Sequence, residues 1–276
     1  MSIFNFLKSQ PVERAPMVAS TTAPRSTGLP FAVDPDAMFD IDATRTLDAL
    51  FQTQERDAAW LDAFYPAAWN ASVSVPPLYH FDGPDGMPYY RLNMPSPNTD
   101  FEAQSLSNLA ATCVERNAGA AFFANASDPE TAPQFVMSMG LIDSMLRYGS
   151  PSGDPVDLED DVLMKAKFSG SRQVLTASPS AEFLPAYAAR AIHRYMSRIW
   201  GIEEPRVHLL VDPSLSPSRN LVIGRKRSGF SSDQEVNDEM ARLLWFMPPK
   251  RSLILMPDDW SFDQMDRLSD LADAVR

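Results

Sequence analysis

Residues 179–256 alternate between two kinds of apolar pattern, and this alternation constrains the fold more than any other feature of the chain. A helical pattern over residues 181–200 is followed by short apolar runs at residues 207–211 and 221–224. A second helical pattern covers residues 232–246, and a last apolar run ends at Met256. Helical periods separated by short apolar runs are typical of helices packed on a sheet. The segment therefore predicts an α-β-β-α-β unit.

The first part of the chain shows the same mixture of patterns. Apolar residues recur at helical spacing over residues 43–64 and stop at Pro66, and a second helical face lies over residues 101–116. Between them, residues 82–86 are rich in Asp, Gly and Pro, which predicts the turn of a hairpin. The apolar run at residues 120–124 predicts a buried strand. Helices and short strands therefore alternate here as well.

Residues 150–161 are the best candidate for a boundary between two domains. They contain two prolines, a glycine and five carboxylates, so composition, charge and turn content all change there. The predicted fold class is α/β or α+β, with two small mixed domains whose helices pack on short β-sheets. The predicted parts are a disordered leader (1–35), an N-terminal domain (36–160) and a C-terminal domain (161–276) that ends in an acidic helix (262–275).

The charges of the chain are unevenly distributed. Its 36 acidic and 24 basic residues give a formal net charge of −12. Residues 162–256, however, contain 14 Lys and Arg against 8 Asp and Glu, whereas residues 1–161 contain 8 against 22. Overall acidity argues against non-specific nucleic-acid binding. The local basic excess favours either an anionic partner or docking between the two halves.

Cysteine content and hydropathy indicate the compartment. The single cysteine, Cys113, excludes an internal disulfide, and its place on an apolar helix face predicts a buried core residue rather than a nucleophile. The chain has no apolar run long enough to cross a membrane, and its start lacks the regions of a secretory signal. These features predict a cytoplasmic protein, although a leader for a specialised export machine would have a similar composition.

The sequence has no common catalytic motif. It lacks a nucleophile elbow, a P-loop, a dinucleotide-binding glycine motif and a zinc-protease motif. Of the three histidines, no two stand at metal-ligand spacing. The carboxylates of residues 154–161 lack the pattern of a Ca²⁺ loop, so a solvated linker explains them better than a metal site. The sequence thus favours a protein with no metal, no cofactor and no catalytic activity.

The feature that most suggests binding is a row of arginines on the helix predicted at residues 181–200. Arg190, Arg194 and Arg198 recur every four residues, which places them on one ridge opposite the apolar face. Like charges at this spacing repel, so the ridge needs either ion pairs with the acidic half or an anionic partner. In the second case, the predicted anion- or partner-binding residues are Arg190, His193, Arg194, Arg198, Arg225, Lys226 and Arg227.

Several short sequence segments along the chain also resemble those of a known family. In the C-terminal part they are Pro179-Ser180, Glu182, Leu184-Pro185, the runs at 207–211 and 221–224, and the strand that ends near Leu255. In the N-terminal part they are Phe64-Tyr65, residues 73–76 and residues 122–139. With these features the chain resembles bacterial enhanced-serine-sensitivity (SseB-type) proteins. The resemblance implies a cytosolic bacterial α/β protein from a family without an established catalytic mechanism, so it assigns no site residues.

Two functions remain open from the sequence. The first is a non-catalytic binding or regulatory protein that acts through protein–protein contacts, without nucleic acid or membrane. The alternative is an enzyme or anion-binding protein whose site is assembled around the basic ridge. That site would combine Arg190, His193 and Arg194 with the carboxylates of Asp82 and Asp85. A pocket where these groups converge would favour the alternative.

Overall fold

The computed structural model describes residues 40–76, 80–96, 99–124, 131–152, 163–167, 173–212, 217–260 and 265–273. Within these residues the chain forms seven α-helices and two six-stranded mixed sheets, an α+β architecture. The predicted fold class of helices packed on short mixed sheets is confirmed. The predicted leader at residues 1–35 and most of the predicted boundary at residues 150–161 lie outside the described residues.

The first sheet belongs to residues 40–152, which we call the N-terminal half. Its elements are α1 (Ile41–Phe51), α2 (Ala58–Asn70), β1 (Val73–Ser74), β2 (His80–Asp82), β3 (Pro88–Asn93), β4 (Ala103–Gln104), α3 (Leu106–Glu115), β5 (Gly119–Phe123), β6 (Phe135–Met137) and α4 (Met139–Tyr148). The strand order is β4-β1-β3-β5-β6, with β2 also paired to β3. Strands β3 and β5 are parallel and are joined through α3, whereas the other pairs are antiparallel.

The helix predicted at residues 43–64 is in fact two helices. Asp40 and Asp57 each accept a hydrogen bond from a backbone N–H three residues later, which caps the starts of α1 and α2. Pro66 does not end the second helix, which continues to Asn70. A proline inside a helix frees the carbonyl four residues earlier, and here that carbonyl belongs to Asp62, which is exposed to water. Solvation therefore makes the interruption tolerable.

The core of the N-terminal half is aromatic and closely packed. Phe64 is fully buried, and its ring centroid lies 4.7 Å from that of Trp60 and 4.2 Å from that of Phe135. Cys113 is buried in the same core, and burial raises the pKa of its thiol to about 12. The thiol stays protonated at neutral pH, so the prediction of a structural cysteine is confirmed.

The second sheet belongs to residues 163–273, the C-terminal half. Its elements are β7 (Leu163–Lys167), β8 (Gln173–Ala177), α5 (Ala186–Ile199), β9 (Arg206–Val211), β10 (Arg219–Lys226), α6 (Asp233–Trp245), β11 (Leu253–Met256), β12 (Asp266–Arg267) and α7 (Leu268–Asp273). The strand order is β11-β10-β9-β8-β7, with β12 also paired to β9. Only β10 and β11 pair in parallel, and α6 joins them. The predicted α-β-β-α-β order is confirmed.

Two helix boundaries in this half differ from the prediction. Helix α5 begins at Ala186 instead of residue 181, because Pro185 disfavours a helical conformation at the residue before it. The last helix, predicted at residues 262–275, is described only from Leu268. Asp266 and Arg267 pair with β9 instead, and the Ser178 hydroxyl donates to the Asp266 carboxylate at 2.9 Å.

His208 lies inside β9 and is only 4 % exposed, so it is a structural residue rather than a surface site. Its Nδ1 lies 3.8 Å from the Asp266 carboxylate. Burial lowers the pKa of His208 below its ordinary value of 6.5, and Asp266 opposes this shift. The folded protein therefore binds fewer protons at this site than the unfolded chain does.

From this shift we expect the stability of the protein to fall as the pH is lowered through 6.5, because the buried imidazole resists protonation. Above that pH the contribution of neutral His208 is fully present. Thermal unfolding of wild type and His208→Gln over a pH series measures the effect, and the variant should lose less stability on acidification. His80→Gln is the matched control, since His80 is exposed. Identical pH profiles for wild type and His208→Gln would contradict the assignment.

The two halves share one apolar core. A single cluster joins Met87, Tyr89 and Phe123 of the N-terminal half to residues of α5, α6 and the second sheet. The Trp245 indole N–H donates to the Tyr89 hydroxyl at 3.0 Å, and that hydroxyl donates to Asp85 at 2.6 Å. We call this contact the seam between the halves.

Two glycines allow the seam to close. A Cβ at Gly140 of α4 would lie 1.9 Å from the carbonyl oxygen of Met247, just after α6. A Cβ at Gly119 would lie 2.8 Å from the Trp245 ring. Gly119 is not part of the stop of α3, because Asn117 already ends that helix with a φ of 55°. Gly119 instead lies in β5, where it gives room both to the Met137 carbonyl oxygen of β6 and to the Trp245 ring of α6.

Candidate functional site

Helix α5 of the C-terminal half carries the predicted ridge and lies where the two halves meet. Its apolar face is buried in the shared core, through Tyr187, Ala188, Ala191, Ile192 and Met196. On its other side the predicted Arg190, Arg194 and Arg198 are exposed and His193 is half-buried. The four-residue spacing therefore puts the three arginines where it was predicted to, on one exposed ridge.

The three arginines differ in what they contact. Arg190 donates from Nη1 to the carbonyl oxygen of Ala272 at 3.0 Å, which attaches α7 to α5. Arg194 and Arg198 have neither an ion-pair partner nor a hydrogen-bond partner among the described residues. The interpretation in which the acidic half neutralises the ridge thus finds no support in the described part of the chain.

A groove runs between the ridge and the N-terminal half, and we call it the inter-half groove. Its volume is about 230 Å³. It is lined by Gly86, Met87, Pro88, Arg116, Asn117, Ala191, Arg194, Tyr195, Arg198, Ile199 and Phe246. The groove is mainly apolar, and Ile199 is 62 % exposed beside it. Its charged groups are Arg194 and Arg198 from α5 and Arg116 from the end of α3, and all three are exposed.

A buried carboxylate holds the α5 wall of this groove. Glu239 of α6 accepts hydrogen bonds from the Tyr195 hydroxyl at 2.9 Å and from the Trp200 indole N–H at 2.6 Å. It also forms an ion pair with Arg242. Burial and the bond to Glu239 raise the pKa of Tyr195 to about 12, so its hydroxyl remains a donor at neutral pH. The carboxylate therefore positions the last turns of α5.

A second groove lies on the other side of the ridge, between α5 and α7, and we call it the α5–α7 groove. Its volume is about 390 Å³. It is lined by Arg190, His193, Arg194, Ser197, Arg198, Ser269, Ala272 and Asp273. Arg194 and Arg198 line both grooves. Asp273, at the end of α7, is the carboxylate of this lining, and it forms no ion pair with the neighbouring bases among the described residues.

The remaining predicted bases belong to a separate cluster. The Arg225 guanidinium lies 4.8 Å from the Trp200 ring centroid and 4.1 Å from that of Phe230. Lys226 donates to the carbonyl oxygen of Asp258, and Arg227 forms an ion pair with Asp233. Arg225, Lys226 and Arg227 thus have internal partners, and they line neither groove.

The carboxylates of the alternative catalytic site do not join the ridge. Asp85 accepts hydrogen bonds from the Met87 N–H at 3.0 Å and from the Tyr89 hydroxyl, so its carboxylate is occupied within its own hairpin. Asp82 is exposed on the same hairpin. A search of the described residues found no group of His, Cys, Asp and Glu side chains that could hold a metal ion. The arrangement around the ridge suits binding of anions.

Comparisons with known proteins leave the family open. A scan against protein-family models, a search of curated proteins and a search of solved structures each found no match. The resemblance to SseB-type proteins and the cytoplasmic location therefore stay predictions. Among the described helices none is both long enough and apolar enough to cross a membrane.

The sequence does not reveal the residues that form the two grooves together with the ridge. Arg116 was recognised only as the end of a helix, because nothing in the sequence shows that α3 ends opposite α5. Ser197 and Ile199 precede and follow Arg198 in the sequence. A helical projection therefore places them on the two sides of the ridge, where Ser197 lines the α5–α7 groove and Ile199 lines the inter-half groove. The helical spacing could therefore predict the groove residues on α5, whereas Arg116 joins them only because the two halves pack together.

Proposed function

We propose that this protein is a non-catalytic binding protein that captures an acidic, partly apolar segment of a partner protein in the inter-half groove. The observation that carries the proposal is the pair Arg194 and Arg198, exposed beside an apolar groove and without ion-pair partners among the described residues. Capture of this segment would regulate the partner by making it unavailable for other contacts.

The energetics support an external anion. Like charges four residues apart on a helix destabilise it by about 0.2–0.5 kcal/mol per pair. The ridge therefore lowers the stability of the free protein slightly, and an acidic ligand would relieve this repulsion. The chain as a whole has a net charge of −12, so the ridge is a local basic surface on an acidic protein. Such a surface selects the position and orientation of an acidic ligand rather than attracting anions generally.

The apolar lining of the groove contributes to recognition in addition to the arginines. Ile199 is 62 % exposed on the edge of a groove that also contains Met87 and Phe246. Covering an exposed isoleucine contributes about 2 kcal/mol from buried apolar area. A segment in which Asp or Glu residues flank Leu or Phe would satisfy both the arginines and this groove. We therefore expect binding to require both kinds of side chain.

Selection from a random displayed-peptide library tests the proposal. Wild-type protein should enrich peptides that combine acidic and large apolar residues, whereas Arg194→Gln/Arg198→Gln should not. Gln is a good helix former and the apolar face of α5 is unchanged, so the melting temperature of the variant should stay the same or rise slightly. Added salt should weaken wild-type binding, because exposed charges are screened.

Arg45→Gln is the matched control, since Arg45 is an exposed arginine on α1 that lines neither groove. It should enrich the same peptides as wild type. Enrichment of neutral or basic peptides, or equal enrichment by the double variant, would contradict the proposal.

A further inference from the structure

We propose that the α5–α7 groove is a separate site for a phosphomonoester dianion. The inference goes beyond the proposed function, because it concerns the other side of the ridge and a small phosphorylated ligand. It rests on the fixed arginine, the buried hydroxyl and the size of this groove. The two sites are neighbours that share Arg194 and Arg198.

Arg190 is held in place for such a ligand. One of its terminal nitrogens donates to the carbonyl oxygen of Ala272 at 3.0 Å, which fixes the guanidinium at the side of the groove. A guanidinium has five N–H donors in a planar fork, so this bond leaves donors for an oxyanion. Arginine forks match the oxygens of a phosphate in pairs. The side chain is therefore ordered before the ligand arrives.

Ser197 adds a hydroxyl that lacks a partner. Its Oγ is buried in the wall of the groove, and within the described part of the chain no atom hydrogen-bonds to it. A buried hydroxyl without a hydrogen bond is destabilising. Rotation of this side chain about χ1 would turn the hydroxyl into the groove, where donation to a ligand oxygen would satisfy it. His193, which also lines the groove, supplies ring nitrogens near the same position.

The charges and the size of the groove favour a phosphomonoester over a single carboxylate. Arg190, Arg194 and Arg198 bring three guanidinium groups to one groove, whose opposing charge in the lining is Asp273. The excess matches a dianion better than a monoanion. A volume of about 390 Å³ lies in the range of small-molecule sites and leaves room for an organic group beyond the phosphate.

Calorimetric titration of the full chain with phenyl phosphate and with inorganic phosphate tests the site. Phenyl phosphate should bind, and more tightly than inorganic phosphate, because the groove has room for the organic group. Arg190→Gln should weaken binding about tenfold, because a charge-assisted pair is lost. Ser197→Ala should weaken it about threefold without removing charge. Asp273→Asn should tighten binding, because it removes the opposing carboxylate.

Ser197→Ala and Asp273→Asn leave the bond that attaches α7 in place, so they keep the test valid if Arg190→Gln loosens that helix. Ile199→Ser, in the inter-half groove, should weaken peptide binding and leave phenyl phosphate binding unchanged. A short phosphoserine peptide shows whether the phosphate can be carried by a protein. Absence of phenyl phosphate binding, or binding that neither Ser197→Ala nor Asp273→Asn alters, would overturn the proposal, whatever the outcome of the peptide selection.

Discussion

Replacing Gly140 with alanine is expected to lower the free energy of unfolding by about 3 kcal/mol, because overpacking against a backbone carbonyl cannot be relieved by a side-chain rotation. The new Cβ would lie 1.9 Å from the Met247 carbonyl oxygen, so α4 and the end of α6 must separate. Helix propensity predicts the opposite sign, since alanine is better than glycine inside a helix by about 1 kcal/mol. Denaturant unfolding therefore decides between the local and the tertiary effect.

Gly229→Ala is the matched control for this substitution. A Cβ at Gly229 would first meet the flexible Arg225 side chain, at 3.2 Å, and that side chain can move. Its effect should be small. Gly140→Ala should also reduce peptide binding, because the inter-half groove exists only while the seam is closed. Wild-type stability of Gly140→Ala would contradict the close contact between α4 and the Met247 carbonyl.

Replacing Glu239 with alanine should cost about 3 kcal/mol, since removing one member of a buried, charged hydrogen-bond network leaves its partners unsatisfied. Glu239 is 8 % exposed, and its loss leaves the Tyr195 hydroxyl and the Trp200 indole N–H without their acceptor. The last turns of α5 would then lose their attachment to α6. The variant should bind peptide more weakly even under conditions where it is folded.

Asp238→Ala is the control on the same helix. Asp238 is exposed and accepts a hydrogen bond only from the neighbouring Gln234 among the contacts described. Thermal unfolding of the two variants separates the network from a general effect of alanine on α6. Equal stability of Glu239→Ala and Asp238→Ala would contradict the role given to the network.

The sequence predicted most of the second sheet because its signals are local. Ser232 caps α6, Pro248 and Pro249 follow the helix, and the apolar runs of β9 to β11 lie where periodicity places them. The predicted element boundaries that were wrong are those where tertiary packing or solvation overrides a local sequence preference. Pro66 is tolerated because the carbonyl that it frees belongs to the exposed residue Asp62, and Asp266 enters the sheet because β9 offers an unpaired edge there.

The site was only half predictable. The ridge follows from the spacing of its arginines, because helix geometry relates sequence spacing to direction. The grooves depend on which elements approach α5, and the approach of α3 and α7 results from long-range packing. Nothing local distinguishes Arg116 from any other basic residue at the end of a helix. Likewise, Gly140 reads as an ordinary helix start until Met247 is seen against it.

The central claim is that an acidic segment lies in the inter-half groove against Arg194 and Arg198, and a reciprocal charge exchange tests it most directly. The measurement is the affinity of a selected acidic peptide, and of its Glu→Lys counterpart, for wild type and for Arg194→Glu/Arg198→Glu. We expect the variant to lose affinity for the acidic peptide by about tenfold or more and to gain it for the lysine peptide. Arg45→Glu should show neither change. Loss of binding to the acidic peptide without recovery by the lysine peptide, or no loss at all, would contradict the account.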